Sequence, residues 1–275
     1  MKSIVATINI ETSVETVVFE HDGHIEAPNW TRDGAALIVN GGGHLYRLDL
    51  ADPRLDQIDT GFADVINNDH GISPDGLTLV ISDSSITDES CIYTLPMGGG
   101  TPMRVTDNIP SYWHGWSPDA KELAFAAKRS ETFQIFTIPV GGGEEFQVTQ
   151  DFDHCDGPDY SVDGNWIWFN GERAGSVQLW RIHPDGSGLE QMTRDERVNW
   201  FPHPSPDGQQ VSYLAYEGGT QGHPGGKTVE LRLMPAEGGA PRVLRSLFGG
   251  QGTINVPSWA PDSKQFAYVR YENWS

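Results

Sequence analysis

The 275-residue chain is predicted to be all-β, a six-bladed β-propeller of four-stranded antiparallel blades. Three observations carry that prediction. A short phrase centred on an aspartate returns six times, at Asp33, Asp75, Asp119, Asp163, Asp207 and Asp262. The intervals are 42, 44, 44, 44 and 55 residues, a period that belongs to stacked-repeat architectures. Strands left over at the start of the chain match a deficit at its end.

The phrases are Trp30–Gly34, Ile72–Gly76, Trp116–Ala120, Tyr160–Gly164, Pro204–Gly208 and Trp259–Ser263. Each sets Asp-Gly, Asp-Ala or Asp-Ser between two apolar runs, a hairpin signal because such residues tolerate positive φ. The third repeat shows the strands most clearly. Tyr112–Trp116 leads into the turn, and Glu122–Ala126 alternates away from it. Gln134–Ile138 is a third strand, and Glu145–Thr149 follows the glycines 141–143 as a fourth. Glycines 98–100, Asp185-Gly186 and glycines 238–239 fall at matching places, and helical periodicity is nowhere sustained. After Asp262 only Gln265–Val269 remains, while Ile4–Ile10 and Thr16–Phe19 precede the first repeat. Residues 1–275 therefore read as one propeller domain, with the N-terminal strands 4–19 completing the last blade together with 254–270.

Composition narrows the partners. A net charge of −20 repels phosphate backbones and anionic membrane surfaces, so neither a nucleic acid nor a membrane is expected as partner. Aspartate also suits tight turns and keeps a protein rich in strands dissolved, so the charge has a structural use as well. No apolar run approaches the roughly 20 residues of a membrane helix, and the alternating N-terminus lacks a signal-peptide core. The chain as given reads as cytoplasmic, or periplasmic if a leader has been removed. Two cysteines, Cys91 and Cys155, make no disulfide framework.

The phrase Trp-Ser-Pro-Asp-Gly, followed by an apolar strand, a Ser/Lys/Arg-rich loop, an Ile-Tyr-Thr-Leu-like strand and a Gly-rich turn, resembles the repeat of the TolB propeller family. Similar blades occur in the propellers of prolyl-oligopeptidase-type peptidases. The resemblance covers nearly the whole chain and lacks the Gly-His…Trp-Asp signature of WD-type blades. TolB proteins carry an N-terminal α/β domain, and this chain shows none; the peptidases carry a Gly-x-Ser-x-Gly elbow, and none occurs here.

Strand order selects the face for chemistry. The aspartate turns and the Gly-rich turns share one face. The other collects Asn40–His44, Ser82–Ser90, Lys128–Phe133, Gly171–Ser176 and Glu217–Thr228. The extra length of the fifth repeat falls in Gly218–Gly226. Seven residues before each aspartate stand Glu26, Asn68, Tyr112, Asp156, Trp200 and Asn255; five before stand Pro28, His70, His114, Pro158, Pro202 and Pro257. Proline is the rule at the second position, so His70 and His114 depart from it. His154 lies two before Asp156, and His203 follows Pro202. These ten side chains (Glu26, Asn68, His70, Tyr112, His114, His154, Asp156, Trp200, His203 and Asn255) are expected around one channel mouth, with His223 of the inserted loop as a further candidate.

Imidazoles and carboxylates around one opening suit either a metal or acid–base chemistry. A divalent metal, if bound, would take His70, His114 and His154, although no local ligand spacing supports it. Aromatic residues beside amides and acids also suit a peptide, a sugar ring or a cation. Trp30, Trp113, Trp116 and Trp259 read as packing between blades. Cys155 beside His154 does not read as a nucleophile, because neighbours in a strand face opposite ways. The expected function is a non-enzymatic TolB-like propeller without a cofactor, binding a protein, peptide or small ligand at its loop-rich face. The alternative is a metal-dependent lyase or hydrolase acting on a carbohydrate, by analogy with oligogalacturonate lyases of related repeat type.

Overall fold

The computed structural model describes residues 1–274, which form six antiparallel sheets in a closed ring. Two strands, β1 (Lys2–Asn9) and β2 (Glu15–Asp22), precede the repeats. The first blade is β3 (Glu26–Trp30), β4 (Ala36–Gly41), β5 (His44–Asp49) and β6 (Leu55–Gln57). The second is β7 (Ile66–Ile72), β8 (Thr78–Asp83), β9 (Cys91–Pro96) and β10 (Met103–Arg104). In the third, β11 (Ser111–Trp116), β12 (Glu122–Lys128), β13 (Phe133–Pro139) and β14 (Phe146–Gln147) pair in chain order. The fourth holds β15 (His154–Tyr160), β16 (Ile167–Arg173), β17 (Ser176–Ile182) and β18 (Glu190–Gln191). The fifth holds β19 (Val198–Pro204), β20 (Gln210–Tyr216), β21 (Lys227–Pro235) and β22 (Arg242–Gly249).

The sixth blade is composite. Its sheet runs β2–β1–β23, with β23 (Gln265–Glu272) from the other end of the chain, and Trp259 bridges to Phe266 at its inner edge. Both faces of β1 are covered, since residues Ser3 to Ile8 are all buried, the polar Ser3 and Thr7 with the apolar residues. Fully burying a side chain such as Ile8 contributes about 1.5–3 kcal/mol. The ring is thus closed by β1 against β23. No described helix is long and apolar enough to cross a membrane.

The repeated aspartates hold turns. The hydroxyls of Thr31, Ser73, Ser117, Ser161 and Ser205 donate to the Oδ1 of the aspartate two residues on, at 2.5–2.8 Å. The same oxygen accepts the backbone N–H two residues further, as Ala35 donates to Asp33 at 3.0 Å. These hydrogen bonds lower the carboxyls of Asp33, Asp75 and Asp163. In Asp119 the bond from Lys121 leads, and the carboxyl falls to about 2. The following residue is left-handed even where it is not glycine, at Ala120 (φ 58°) and Ser263 (φ 59°).

Tryptophan packs the blades together. Trp113 is fully buried with Val80 and Ile92 of the second blade, and Trp30 with Ala267 and Val269 of the sixth. Gly71 is required beneath Trp113, because a Cβ there would fall inside the indole ring.

Candidate functional site

Each of the first five inner strands breaks its ladder at the same place. Pairing skips between Glu26 and Asn29, Ile66 and His70, Trp113 and Gly115, Asp156 and Asp159, and Trp200 and His203. Such bulges redirect side chains at the rim of a sheet. In three blades the bulge contains a left-handed residue: Ala27 (φ 54°), Gly157 (φ 60°) and Phe201 (φ 56°). The freed amides are met from the preceding blade: Trp113 N–H donates to Ser82 Oγ at 2.8 Å, and Phe201 N–H to Asn170 Oδ1 at 3.0 Å.

Above the bulges lies a cavity of about 310 Å³. Asn68, Tyr112, His114, His154, Asp156 and Asn255 line it as the sequence suggests, and His223 reaches it from the inserted loop. Asn67, Asp69, Ala126, Phe133 and Gln251 complete the wall. Its centre is a buried imidazole between two carboxylates. His114 Nε2 lies 3.0 Å from Asp156 Oδ1 and 3.7 Å from Asp69 Oδ1, while His223 Nε2 is 3.5 Å from Asp156 Oδ2. Asn67 Nδ2 donates to Asp69 Oδ2 at 2.9 Å, Asn255 Nδ2 donates to Asp69 Oδ1, and Gly157 N–H donates to Asp156 Oδ1 at 2.8 Å.

Burial opposes a charge on His114, but Asp69 and Asp156 outweigh it and raise the imidazole to about 9. Burial pushes Asp69 up to about 7, with Asp156 adding and His114 opposing. Burial would raise Asp156 too, yet His114 dominates and holds it below the usual carboxylate range. The opposite charges thus favour His114⁺ beside Asp156⁻, while burial favours the neutral form of the second carboxyl, Asp69.

An aromatic wall encloses this polar core. Tyr112 and Phe133 have ring centroids 6.0 Å apart, and Phe133 and His154 5.3 Å. Behind them Trp200 packs 4.4 Å from His223, and Phe201 stacks on His114 at 6.1 Å.

The other four expected residues lie away from the cavity wall. Glu26 sits one layer out, receiving Asn68 Nδ2 and Asn40 Nδ2, each at 3.4 Å, with its carboxyl raised by burial. Trp200 is core, packed with Leu214 and Ile254. His70 is completely buried and lowered by that burial to about 3; neither ring nitrogen makes a hydrogen bond of good geometry. His203 points toward the aspartate-turn face. Its Nδ1 is 3.1 Å from Asp159 Oδ2 and its Nε2 2.7 Å from the Ile254 carbonyl, and Asp159 lines a second cavity among the turn prolines. His70, His114 and His154 thus have separate surroundings. Among the described residues no three His, Cys, Asp or Glu side chains are placed to hold a metal ion. Cys155 is buried beside Gln134 Oε1 at 3.8 Å, and burial raises its thiol far above the usual range.

Asp69 is the residue that sequence reasoning missed. Strict alternation sets it opposite to Asn68 and His70, and the bulge in β7 cancels alternation there. The available signal was the run Asn67-Asn68-Asp69-His70, polar throughout in an inner strand.

Comparison with known proteins accords with the architecture. The TolB beta propeller domain family matches residues 111–224. An uncharacterized protein of Agrobacterium fabrum is 47% identical over 272 residues, 98% of this chain and 93% of that protein. A solved structure from Agrobacterium tumefaciens, described as a candidate TolB, is 47% identical with a TM-score of 0.97, covering 100% of this chain and 99% of that one. TolB from Acinetobacter baumannii shares the fold, with a TM-score of 0.69 at 20% identity, over 86% of this chain and 61% of that one.

Proposed function

The chain belongs to the family of TolB-type β-propellers, and on that footing we propose that it is a binding propeller without catalytic activity. The ligand (a protein segment, a peptide or a small molecule) enters the cavity on the loop-rich face. One observation carries this reading. The 310 Å³ cavity gathers side chains from the second, third and fourth blades, from the 250–258 segment and from the inserted loop. A rigid ring that brings separate loops to one concave opening is the common design of a ligand site.

Apart from Asp69, whose carboxyl burial raises to about 7, the groups that could perform catalysis support the same reading. Cys155 is sealed in the core, and His203 has both nitrogens engaged with protein partners. In the ion pair, His114 is protonated and Asp156 is its counter-ion, an arrangement suited to holding charge in place rather than to passing a proton. The alternative, a metal-dependent lyase or hydrolase acting on a carbohydrate, needs His70, His114 and His154 to act together, and their surroundings differ. Propellers host many activities, so the site and not the fold carries the function.

Thermal-shift screening of short peptides, amines, carboxylates and oligosaccharides tests the proposal, with wild type and Tyr112→Ala compared. Wild type is expected to be stabilised by at least one class and the variant not. Metal-dependent cleavage of an oligosaccharide, lost in His114→Ala, would overturn it.

A further inference from the structure

Within that reading of the cavity, on which this step rests, the hydrogen-bonding groups are unevenly matched. Two carboxylates face one strongly basic imidazole. Asp156 is paired with His114 at 3.0 Å, whereas Asp69 is 0.7 Å farther from the same nitrogen, at 3.7 Å. Neutral amides, Asn67 and Asn255, supply its nearer donors. Asn255 is 1% exposed and lines the cavity; its Nδ2 is committed to Asp69, and its Oδ1 has no partner. A buried acceptor without a donor costs about 1–3 kcal/mol, which a ligand donor would recover. His114 Nδ1 and His223 Nδ1 are also buried without partners, on the Asp156 side, so the unmatched acceptors are those of Asp69 and Asn255 in particular. The walls beside them are the rings of Tyr112 and Phe133, faces that attract organic cations.

We propose that the ligand carries a primary ammonium group, seated against Asp69 and Asn255 Oδ1, with its organic portion against Tyr112 and Phe133. An ammonium offers three donors and no acceptor, the complement of what these residues present. The charge of the whole chain favours the approach of a cation. A carboxylate ligand would instead face Asp69 and Asp156, with the imidazoles of His114, His154 and His223 gathered on the Asp156 side of the cavity.

Binding in this form is linked to a proton. Where Asp69 is protonated, the ammonium takes the proton's place: R–NH₃⁺ meets Asp69–COOH, the carboxyl ionises, and one H⁺ passes to the buffer. The groups facing Asp69 are His114 on β11 and Asp156 on β15, with Tyr112, Asn67 and Asn255 beside it. His154 and His223 face Asp156, and Glu26 lies behind Asn68. With the Asp69 carboxyl at about 7, roughly half a proton should leave per ligand at pH 7.

Isothermal titration calorimetry in two buffers of different ionisation heat decides the matter. The probes are phenethylammonium, its charge-reversed partner phenylpropionate, and an Ala-Phe-Ala peptide with free or acetylated amino terminus. Expected is binding of phenethylammonium and of the free peptide, no binding of phenylpropionate or the acetylated peptide, and proton release at pH 7. The tighter of the two ammonium probes distinguishes a small amine from a peptide terminus as the source. Asp69→Asn should weaken binding at least roughly tenfold and abolish the proton release. Absence of ammonium binding at millimolar concentration would overturn the proposal, as would equal binding of phenylpropionate. A hit from another chemical class that needs Tyr112 would leave the cavity as a ligand site while removing the ammonium assignment.

Discussion

Replacing Asp69 by asparagine should make the protein less sensitive to pH, and more stable near neutrality. The side chain keeps its shape and retains an acceptor for Asn67 or Asn255, so the losses are one titrating carboxyl and one of the two charges that favour the proton on His114. In the folded protein the Asp69 carboxyl stands at about 7, against 3.8 when unperturbed. A carboxyl raised by folding costs stability as pH climbs from its unfolded value through its folded one, because the unfolded chain ionises first. Below pH 4 the cost is absent; above pH 7 it is complete. At 1.36 kcal/mol for each pKa unit, the whole difference amounts to about 4 kcal/mol, of which about 2 kcal/mol accrues between pH 4.5 and 6.5. His114, raised to about 9, is protonated in both states over most of that window and adds little slope. Urea unfolding followed by tryptophan fluorescence at pH 4.5, 5.5 and 6.5 gives the result directly. The stability of Asp69→Asn minus that of wild type should rise by about 2 kcal/mol across the series, roughly 4–8 °C in melting temperature. A difference that stays flat, or falls as pH rises, would show that Asp69 ionises normally and that the cavity holds no surplus carboxyl.

Two further outcomes test the ring itself. Ile8→Ala, fully buried in the strand that closes the sixth blade, should cost about 2–5 kcal/mol in denaturant unfolding, and no measurable loss would contradict the pairing of β1 with β23. Gly71→Ala must displace Trp113 from the joint between the second and third blades; about 1–3 kcal/mol of destabilisation is expected, with a change in tryptophan emission, and an unaltered spectrum and stability would count against that contact.

Fold and site were legible to different degrees, for physical reasons. The blades could be read because the turn chemistry is local: an aspartate, a hydroxyl two residues before it and a left-handed residue after it are all visible in the sequence. The composite last blade followed from counting strands. The lining of the candidate cavity was half legible. Counting back from the turn aspartate found Asn68, Tyr112, Asp156 and Asn255, because that position is fixed by the length of the inner strand. It misplaced His203 and His70 and overlooked Asp69, because the bulge changes which way successive side chains point. A bulge depends on pairing with the neighbouring strand, and no local residue pattern announces it. Trp200 occupies the same position as its counterparts, yet its bulk carries it into the core between blades. His223 could be named from the extra length of its loop, but whether the loop folds over the mouth depends on packing against Trp200 and Phe201.

Two of the bulges are secured from behind, by Ser82 for Trp113 and by Asn170 for Phe201, whereas in the second and fourth blades mouth residues, Asn67 and Asp156, accept backbone N–H groups of their own bulges. In the third and fifth blades, then, the bulge amide is held by a residue outside the mouth. Asn68, Tyr112, Asp156 and Asn255 stand at equivalent points of four different blades and present two amides, a phenol and a carboxylate. If the cavity is the ligand site proposed above, its preference can be rewritten at Asn68, Tyr112 and Asn255 one at a time, as letters in a fixed frame, whereas a change at Asp156 also removes the acceptor for the Gly157 amide.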